Sequence, residues 1–331
     1  HLNGNRLRYI VNGTFYYRRE LYELNLSENK ISLLPDGVFA TLKHLEVLNL
    51  RNNTLRYISV GTLRGLFRLT YLNLDFNGIR GIEPGSFASS KPLYLLNLDG
   101  NYLTRINNTT FSGLIYLHQL HLQNNGIQEI AVDSFKGMKH LMYLFLHGNR
   151  LSKVLKGIFD PLIKCKFLTL NNNNISEIEP HALQGLKTIE TIFLQYNRLR
   201  RVKREDFSSM IRLERLYMFD NEISFFEPGS FPHARLSQLL LYKNTGLSSV
   251  TIDAKEQQRP NVTIYIYPDN VPSIAVRGII YADVLEKNGF RCQDKSPWVC
   301  DLCPVGTYSR GDGVSTGCHQ CPAGTIITYN S

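Results

Sequence analysis

The stretch Leu45-Glu46-Val47-Leu48-Asn49-Leu50-Arg51-Asn52-Asn53-Thr54-Leu55 decides how this chain is read. Leucines stand at its first, fourth, sixth and last positions, with an asparagine two places before the end. The same pattern occurs earlier at Leu21, Leu24, Leu26, Asn29 and Ile31, and later at Leu69, Leu72, Leu74, Asn77 and Ile79, a step of 24 residues. It continues through Leu93, Leu117, Leu141, Cys165, Ile189 and Leu213, with a partial turn before it at Leu2, Asn5 and Leu7 and a shorter last one from Leu236. A unit of this size cannot cover its own apolar face, so neighbours must stack into one continuous core. Each unit then supplies one short strand with its leucines pointing inward. The expected fold is an α/β solenoid, a curved horseshoe with a parallel sheet on its concave side. At roughly 1.5–3 kcal/mol per buried aliphatic side chain, the leucine columns dominate the favourable side of folding.

Two further columns share this register. Asn5, Asn29, Asn53, Asn77, Asn101, Asn125, Asn149, Asn173, Asn197, Asn221 and Asn244 fall where the chain turns out of each strand and leaves backbone groups unpaired. A buried side-chain amide can serve donors and acceptors there at once. Phe15, Phe39, Phe87, Phe111, Phe135, Phe159, Phe207 and Phe231 fall on the opposite side of the turn and should stack as a spine, with Leu63 and Leu183 standing in twice. Cys165 occupies a leucine slot and reads as a small buried hydrophobe.

The register, and especially Leu33-Leu34-Pro35-Asp36-Gly37-Val38-Phe39 followed by the opening stretch, resembles the animal extracellular type of leucine-rich repeat. It is similar to Toll-like receptor ectodomains and to lamprey-type variable lymphocyte receptors. The resemblance implies a binding module of receptor type. The expected organisation is a leucine-rich-repeat solenoid over residues 1–250 that lacks its N-terminal cap, a C-terminal capping segment over 251–291, and an incomplete cysteine-rich module over 292–331. Further domains are expected beyond both ends. Alternation in Val262, Thr263, Ile264, Tyr265 and Ile266 predicts a closing strand, and residues 279–288 predict a short helix before Gly289.

Five of the six cysteines, Cys292, Cys300, Cys303, Cys318 and Cys321, crowd the C-terminal end. The two Cys-x-x-Cys pairs lie close to zinc-ribbon spacing. Each pair leads into a Pro-x-Gly-Thr turn, however, and that tandem resembles ephrin-receptor-like modules, which implies disulfides and no metal. A bridge from Cys303 to Cys318 would close a loop of about 15 residues, contributing roughly 3 kcal/mol in a chain-entropy account. An odd cysteine leaves Cys321 pairing with a partner outside the sequence. Sequons at Asn12, Asn25, Asn52, Asn107, Asn108, Asn174 and Asn261, together with this tail, point to the secretory pathway and to a secreted or surface-anchored glycoprotein.

Positions between the strand leucines project from the concave sheet. The column between the second and third leucines reads Asn25, Asn49, Asn73, Asn97, His121, Phe145, Thr169, Phe193, Tyr217 and Leu240, polar at first and then largely aromatic. Neighbouring columns add Tyr71, Phe76 and Tyr94, then Tyr143, Phe167, Tyr196, Phe219 and Tyr242. Exposed rings gathered on one face are expected to bind a protein or glycan ligand, unless they pack on one another or on a second copy of the chain in a homo-oligomer. A formal charge of +9 favours acidic partners, and Arg200, Arg201, Lys203 and Arg204 form the one dense basic run, on a loop leaving a strand. No nucleophile elbow, phosphate loop or His-x-x-x-His pair is present, so neither catalysis nor a cofactor is expected. The competing reading is a structural or adhesive matrix protein that holds other subunits. Diversity among the concave positions favours recognition, of the immune or cell-surface type.

Overall fold

The computed structural model describes residues 2–227, 230, 236–244 and 246–247, and beyond them the backbone of the strands Ser249–Asp253, Thr263–Tyr265, Ser273–Arg277, Phe290–Gln293, Trp298–Leu302, Thr307–Tyr308 and His319–Gln320. Two compact units, His1–Ile189 and Glu190–Ser331, divide the chain.

In the first unit the strands Glu23–Asn25, Val47–Asn49, Tyr71–Asn73, Leu95–Asn97, Gln119–His121, Tyr143–Phe145 and Phe167–Thr169 lie side by side in parallel. Every residue faces the one 24 positions on, as Leu48 faces Leu72 and Leu120 faces Leu144. The middle residue of each strand is buried, because alternation along a strand sends Leu48 and Leu50 to the core while Val47 and Asn49 face outward. The second unit continues the pattern with Thr191–Phe193, Arg215–Tyr217, Gln238–Leu240 and Thr263–Tyr265. There the step shortens to 23 residues at Arg215 opposite Gln238 and lengthens to 25 at Gln238 opposite Thr263, so the predicted closing strand joins the sheet although the repeat has slipped. The helix expected at 279–288 lies outside the described residues.

The asparagine column ties the turns together. Asn101 is buried; its Nδ2 donates to Leu98 O in its own turn at 3.0 Å and to Leu74 O in the preceding turn at 3.0 Å, while its Oδ1 accepts Ile79 N–H at 3.0 Å. Asn53, Asn77, Asn125, Asn149 and Asn173 repeat these three bonds in the first unit, and Asn221 and Asn244 in the second. Asn5, by contrast, is exposed and bonds only Leu2 O and Asn3 O within its own turn. The residue just before each of these asparagines is held at positive φ: Glu28 at 56°, Asn52 at 51°, Phe76 at 49°, Gly100 at 62°, Tyr196 at 57°. A bulky side chain there costs about 1–2 kcal/mol, so Phe76 and Tyr196 are kept against a local penalty.

On the far side of each turn the phenylalanines stack. Phe15 and Phe39 have ring centroids 5.8 Å apart, Phe87 and Phe111 6.3 Å, and Phe135 and Phe159 6.2 Å. Phe231 lies outside the described residues. Two-residue parallel pairs, such as Arg105–Ile106 with Glu129–Ile130 and Lys153–Val154 with Glu177–Ile178, line this side, and the one helix among the described residues is the single turn Arg204–Phe207. Cys165 is fully buried and its thiol is pushed up to about 12 by burial, so it acts as the small hydrophobe its slot demands. Asp206 takes the register position that Thr110 holds four repeats earlier: Thr110 Oγ1 accepts Asn107 N–H at 3.0 Å, and Asp206 Oδ2 accepts Lys203 N–H at 2.8 Å. Burial pushes the Asp206 carboxyl up to about 6.

Asn101→Ala leaves two carbonyls and one amide of the turn unserved and should cost at least about 2 kcal/mol in urea unfolding, whereas Asn5→Ala should cost almost nothing. Because the Asp206 carboxyl holds its proton more tightly folded than unfolded, its contribution to stability declines as pH rises from 3.8 to about 6. Asp206→Asn should remove that decline and unfold at a higher temperature than the parent at pH 7, as read by calorimetry.

Candidate functional site

The outward positions of the strands carry rings in contact across neighbouring turns. In the first unit His121 stacks on Phe145, with centroids 4.3 Å apart and planes 19° from parallel, and Phe145 leans on Phe167 at 5.5 Å. Phe167 also meets Tyr143 at 6.3 Å. These four expected site residues therefore form one cluster on the strands Gln119–His121, Tyr143–Phe145 and Phe167–Thr169. Tyr94, just before its strand, stacks on His118 at 4.4 Å, which is followed by His140 at 5.8 Å, and Tyr116 meets His140 at 5.8 Å. His118 and His140 thus belong to one row of rings; Tyr94 and His118, like Tyr116 and His140, stand 24 residues apart, and that step is the signal that locates the row. Tyr71, on the strand Tyr71–Asn73, stands apart from both groups.

The second unit holds two stacks of its own. Phe193 and Tyr217 lie 4.5 Å apart and 5° from parallel, and Tyr217 Oη donates to Gln238 Oε1 at 2.8 Å. Phe219 stacks on Tyr242 at 4.3 Å and takes the edge of Tyr196 at 5.2 Å. The rings do pack on one another, yet Phe145, Phe193 and Tyr217 stay only half-buried and Tyr94, Tyr143 and Tyr196 remain exposed.

The N-terminal strands present a different surface. Asn25, Asn49, Asn73 and Asn97 each accept the backbone N–H two residues on through Oδ1 at 3.0 Å, so this polar column shapes the turn. Beside it, Arg51 reaches Asp75 at 2.6 Å and lies over the Phe76 ring at 4.8 Å. Asp75 is almost wholly buried, which raises its carboxyl pKa against the pull of Arg51. Further along, Asn124 Nδ2 donates to Asp99 Oδ1 at 2.9 Å, and His147 Nδ1 lies 2.9 Å from Thr169 Oγ1. Burial holds the imidazoles of both His121 and His147 below the usual histidine range, with Asp99 opposing. The pairing of Arg51 with Asp75 escaped the sequence reading, although the two lie at the same register one repeat apart.

Of the sequons, Asn12, Asn52, Asn107, Asn108 and Asn174 are exposed; Asn25 is half-buried with its Oδ1 also accepting the Ser27 hydroxyl at 2.8 Å, and Asn261 lies outside the described residues. In the basic run, Arg200 Nε donates to Glu222 at 2.9 Å, Arg201 sits on a back strand, and Lys203 and Arg204 open the helical turn. The backbone register places Cys292 opposite Cys300 on antiparallel strands; Cys303, Cys318 and Cys321 lie outside the described residues. Among the described residues no group of His, Cys, Asp and Glu could hold a metal ion, and no helix is long and apolar enough to cross a membrane.

A stack of 24-residue turns, tied by buried asparagines and offering rings on the outer face of a parallel sheet, defines a repeat-built binding scaffold. The family model described as leucine rich repeat matches residues 19–79, 67–116, 115–175 and 163–223, and the chain belongs to this family. None of the curated proteins matches the sequence. Among solved structures the chain is similar to TLR13 in its complex with ssRNA13, at 26% identity and a TM-score of 0.70 over 86% of this chain and 41% of that one. It therefore spans about two fifths of the TLR13 chain. It is also similar to a chain of the octameric complex of Latrophilin 3, Unc5D and FLRT2, in which FLRT2 supplies the LRR, at 27% identity and a TM-score of 0.60 over 69% of each chain. Toll, solved with Spatzle from Drosophila, shares the fold at 19% identity and a TM-score of 0.66, covering 83% of this chain and 40% of Toll.

Because burial depresses the His121 pKa in the folded chain, its contribution to stability is present above the ordinary histidine value of 6.5 and is lost as pH falls below it. His121→Phe keeps a ring on Phe145 without the titrating group. The variant should lose less thermal stability than the parent between pH 7 and pH 5, by differential scanning calorimetry of both proteins across that range.

Proposed function

We propose that the chain is an extracellular recognition module of receptor type, immune or cell-surface, that binds a protein or glycan ligand on the outer face of its sheet. The observation that carries this reading is the set of half-buried ring stacks: His121, Phe145, Tyr143 and Phe167 in one unit, and Phe193 with Tyr217 and Phe219 with Tyr242 in the other. Rings held by their neighbours lose little freedom when a ligand covers them, so the apolar area they offer converts efficiently into affinity. Pairing of Tyr217 with Gln238 leaves a polar rim of the kind that fixes a ligand's orientation. The similar structures support the reading: TLR13 is solved with an RNA, and FLRT2 in a complex with Latrophilin 3 and Unc5D. Exposed sequons at Asn12, Asn52 and Asn174 fit passage through the secretory pathway. The basic run is the weaker candidate for contact with a polyanion, since Arg200 is already paired with Glu222.

The test begins by screening the purified chain against secreted and cell-surface proteins, a glycan array and a single-stranded RNA. Any ligand found is then measured on Phe145→Ser and, separately, on Phe193→Ser with Tyr217→Ser. Loss of about tenfold or more in affinity for at least one variant, with a thermal midpoint within a few degrees of the parent, is expected. Unaltered affinity in both would defeat the assignment of the ligand to this face.

A further inference from the structure

A second surface of the first unit has a regularity that the sheet face lacks. At the position two residues ahead of the first leucine of the repeat, the chain reads Arg19 and then Lys43, Phe67, Lys91, Ile115, Lys139, Ile163, Lys187: from Lys43 to Lys187 cation and apolar side chain alternate turn by turn. The lysines are exposed, and so are Phe67 at 58%, Ile115 at 43% and Ile163 at 43%. The next position along, from His44 to Thr188, carries no aspartate or glutamate either. Some cations of the unit are neutralised across neighbouring turns, as Arg105 is by Glu129 and Lys153 by Glu177, but none of these four lysines forms an ion pair among the described residues. Lys43 instead holds its ammonium 5.2 Å from the centre of the Phe67 ring, one turn away. Cationic charge interleaved with exposed apolar side chains along one file offers a partner both electrostatic attraction and apolar area to bury.

We propose that this file is the docking surface for an acidic amphipathic α-helix of a partner protein, lying along the stack of turns. The spacing selects the occupant. Neighbouring strands are about 4.8 Å apart, and on this edge Tyr116 and His140, one turn apart, have ring centroids at 5.8 Å. The pitch of an α-helix, about 5.4 Å, falls between the two. A helix laid along the file therefore advances one turn for each turn of the solenoid, and residues three or four apart on its lower face meet successive positions. Carboxylates on alternate turns meet Lys43, Lys91, Lys139 and Lys187, and apolar residues on the intervening turns cover Phe67, Ile115 and Ile163. The whole file spans about 30 Å, or about 20 helical residues, and the reach of the lysines absorbs the residual mismatch of pitch. A polyanion gains nothing from the exposed isoleucines, and neither it nor a bilayer surface has a period of two turns to match. This surface is distinct from the ring stacks of the sheet face.

The intact chain is titrated with two synthetic peptides of about 22 residues and equal composition. In one, glutamate and leucine alternate at successive turns of a single helical face; in the other the glutamates occupy one half and the leucines the other. The alternating peptide should bind at least about tenfold more tightly by fluorescence anisotropy and should gain helical circular dichroism on binding. Ile115→Ser with Ile163→Ser, and separately Lys91→Glu with Lys139→Glu, should each weaken it about tenfold without changing the thermal midpoint. Phe145→Ser should leave it unchanged, so failure here and failure on the sheet face are told apart. Equal affinity for the two peptides, or no binding of either, overturns the proposal. Heparin or phosphatidylserine vesicles that bind the chain more tightly than the alternating peptide would assign the file to a polyanion or a membrane and overturn it as well.

Discussion

One side-chain amide, placed once per 24 residues, holds this architecture together. A strand of three residues cannot satisfy the backbone on either side of itself, and the chain leaving it must turn sharply within the apolar interior. In Asn101 the amide serves a carbonyl of its own turn, a carbonyl of the turn before and an amide of the turn before, all at 3.0 Å. With those groups paired, the leucines can close around them without burying an orphaned dipole. The left-handed backbone at the preceding residue is the local cost of aiming the amide inward, and it is accepted at every turn whatever side chain stands there, Phe76 and Tyr196 included.

The same constraint sets the geometry of the outer face. Because the asparagines lock each turn against its neighbour, equivalent side chains recur at the strand spacing of about 4.8 Å. That distance is close to the one at which aromatic rings prefer to lie offset over each other. Rings at equivalent positions in consecutive turns, His121 with Phe145 and Phe193 with Tyr217, therefore stack at 4.3 Å and 4.5 Å with no further adjustment. Where the rings occupy different positions of the repeat, as Tyr143 and Tyr116 do, no such alignment is available between them. The outer face of the sheet thus carries a set of short piles of rings, each owned by one position of the repeat.

Much of this was legible before any coordinates. The leucine, asparagine and phenylalanine columns have one residue type each, and a repeated type at a fixed step can be read directly. Rings in the outward columns were legible because the leucine register fixes which positions of each strand face outward. What the sequence hid was pairing between unlike residues: Arg51 with buried Asp75, Tyr94 with His118, Asp99 with Asn124. Arg51 with Asp75 and Tyr94 with His118 each share one position of consecutive repeats, and Asp99 with Asn124 lies one position off, but the partners differ in type, so repetition of a residue type does not reveal them. The Asn25, Asn49, Asn73 and Asn97 column misled in the other direction, since a polar outward column resembles a solvated surface while its oxygens are committed to the turn. Past Leu247 the repeat ends, and with it the kind of evidence that made the rest readable.

Every asparagine bond reaches no farther than the adjacent turn: a carbonyl 27 residues back and an amide 22 residues back at Asn101, and 26 and 21 at Asn244. No bond depends on how many turns lie to either side. Tandem duplication or loss of a whole 24-residue segment of the gene accordingly leaves each surviving amide with a full set of partners, while an insertion of any other length inside a strand breaks the set. The scaffold can change its length, and with it the extent and order of its side-chain files, by recombination steps that never pass through an unfoldable intermediate.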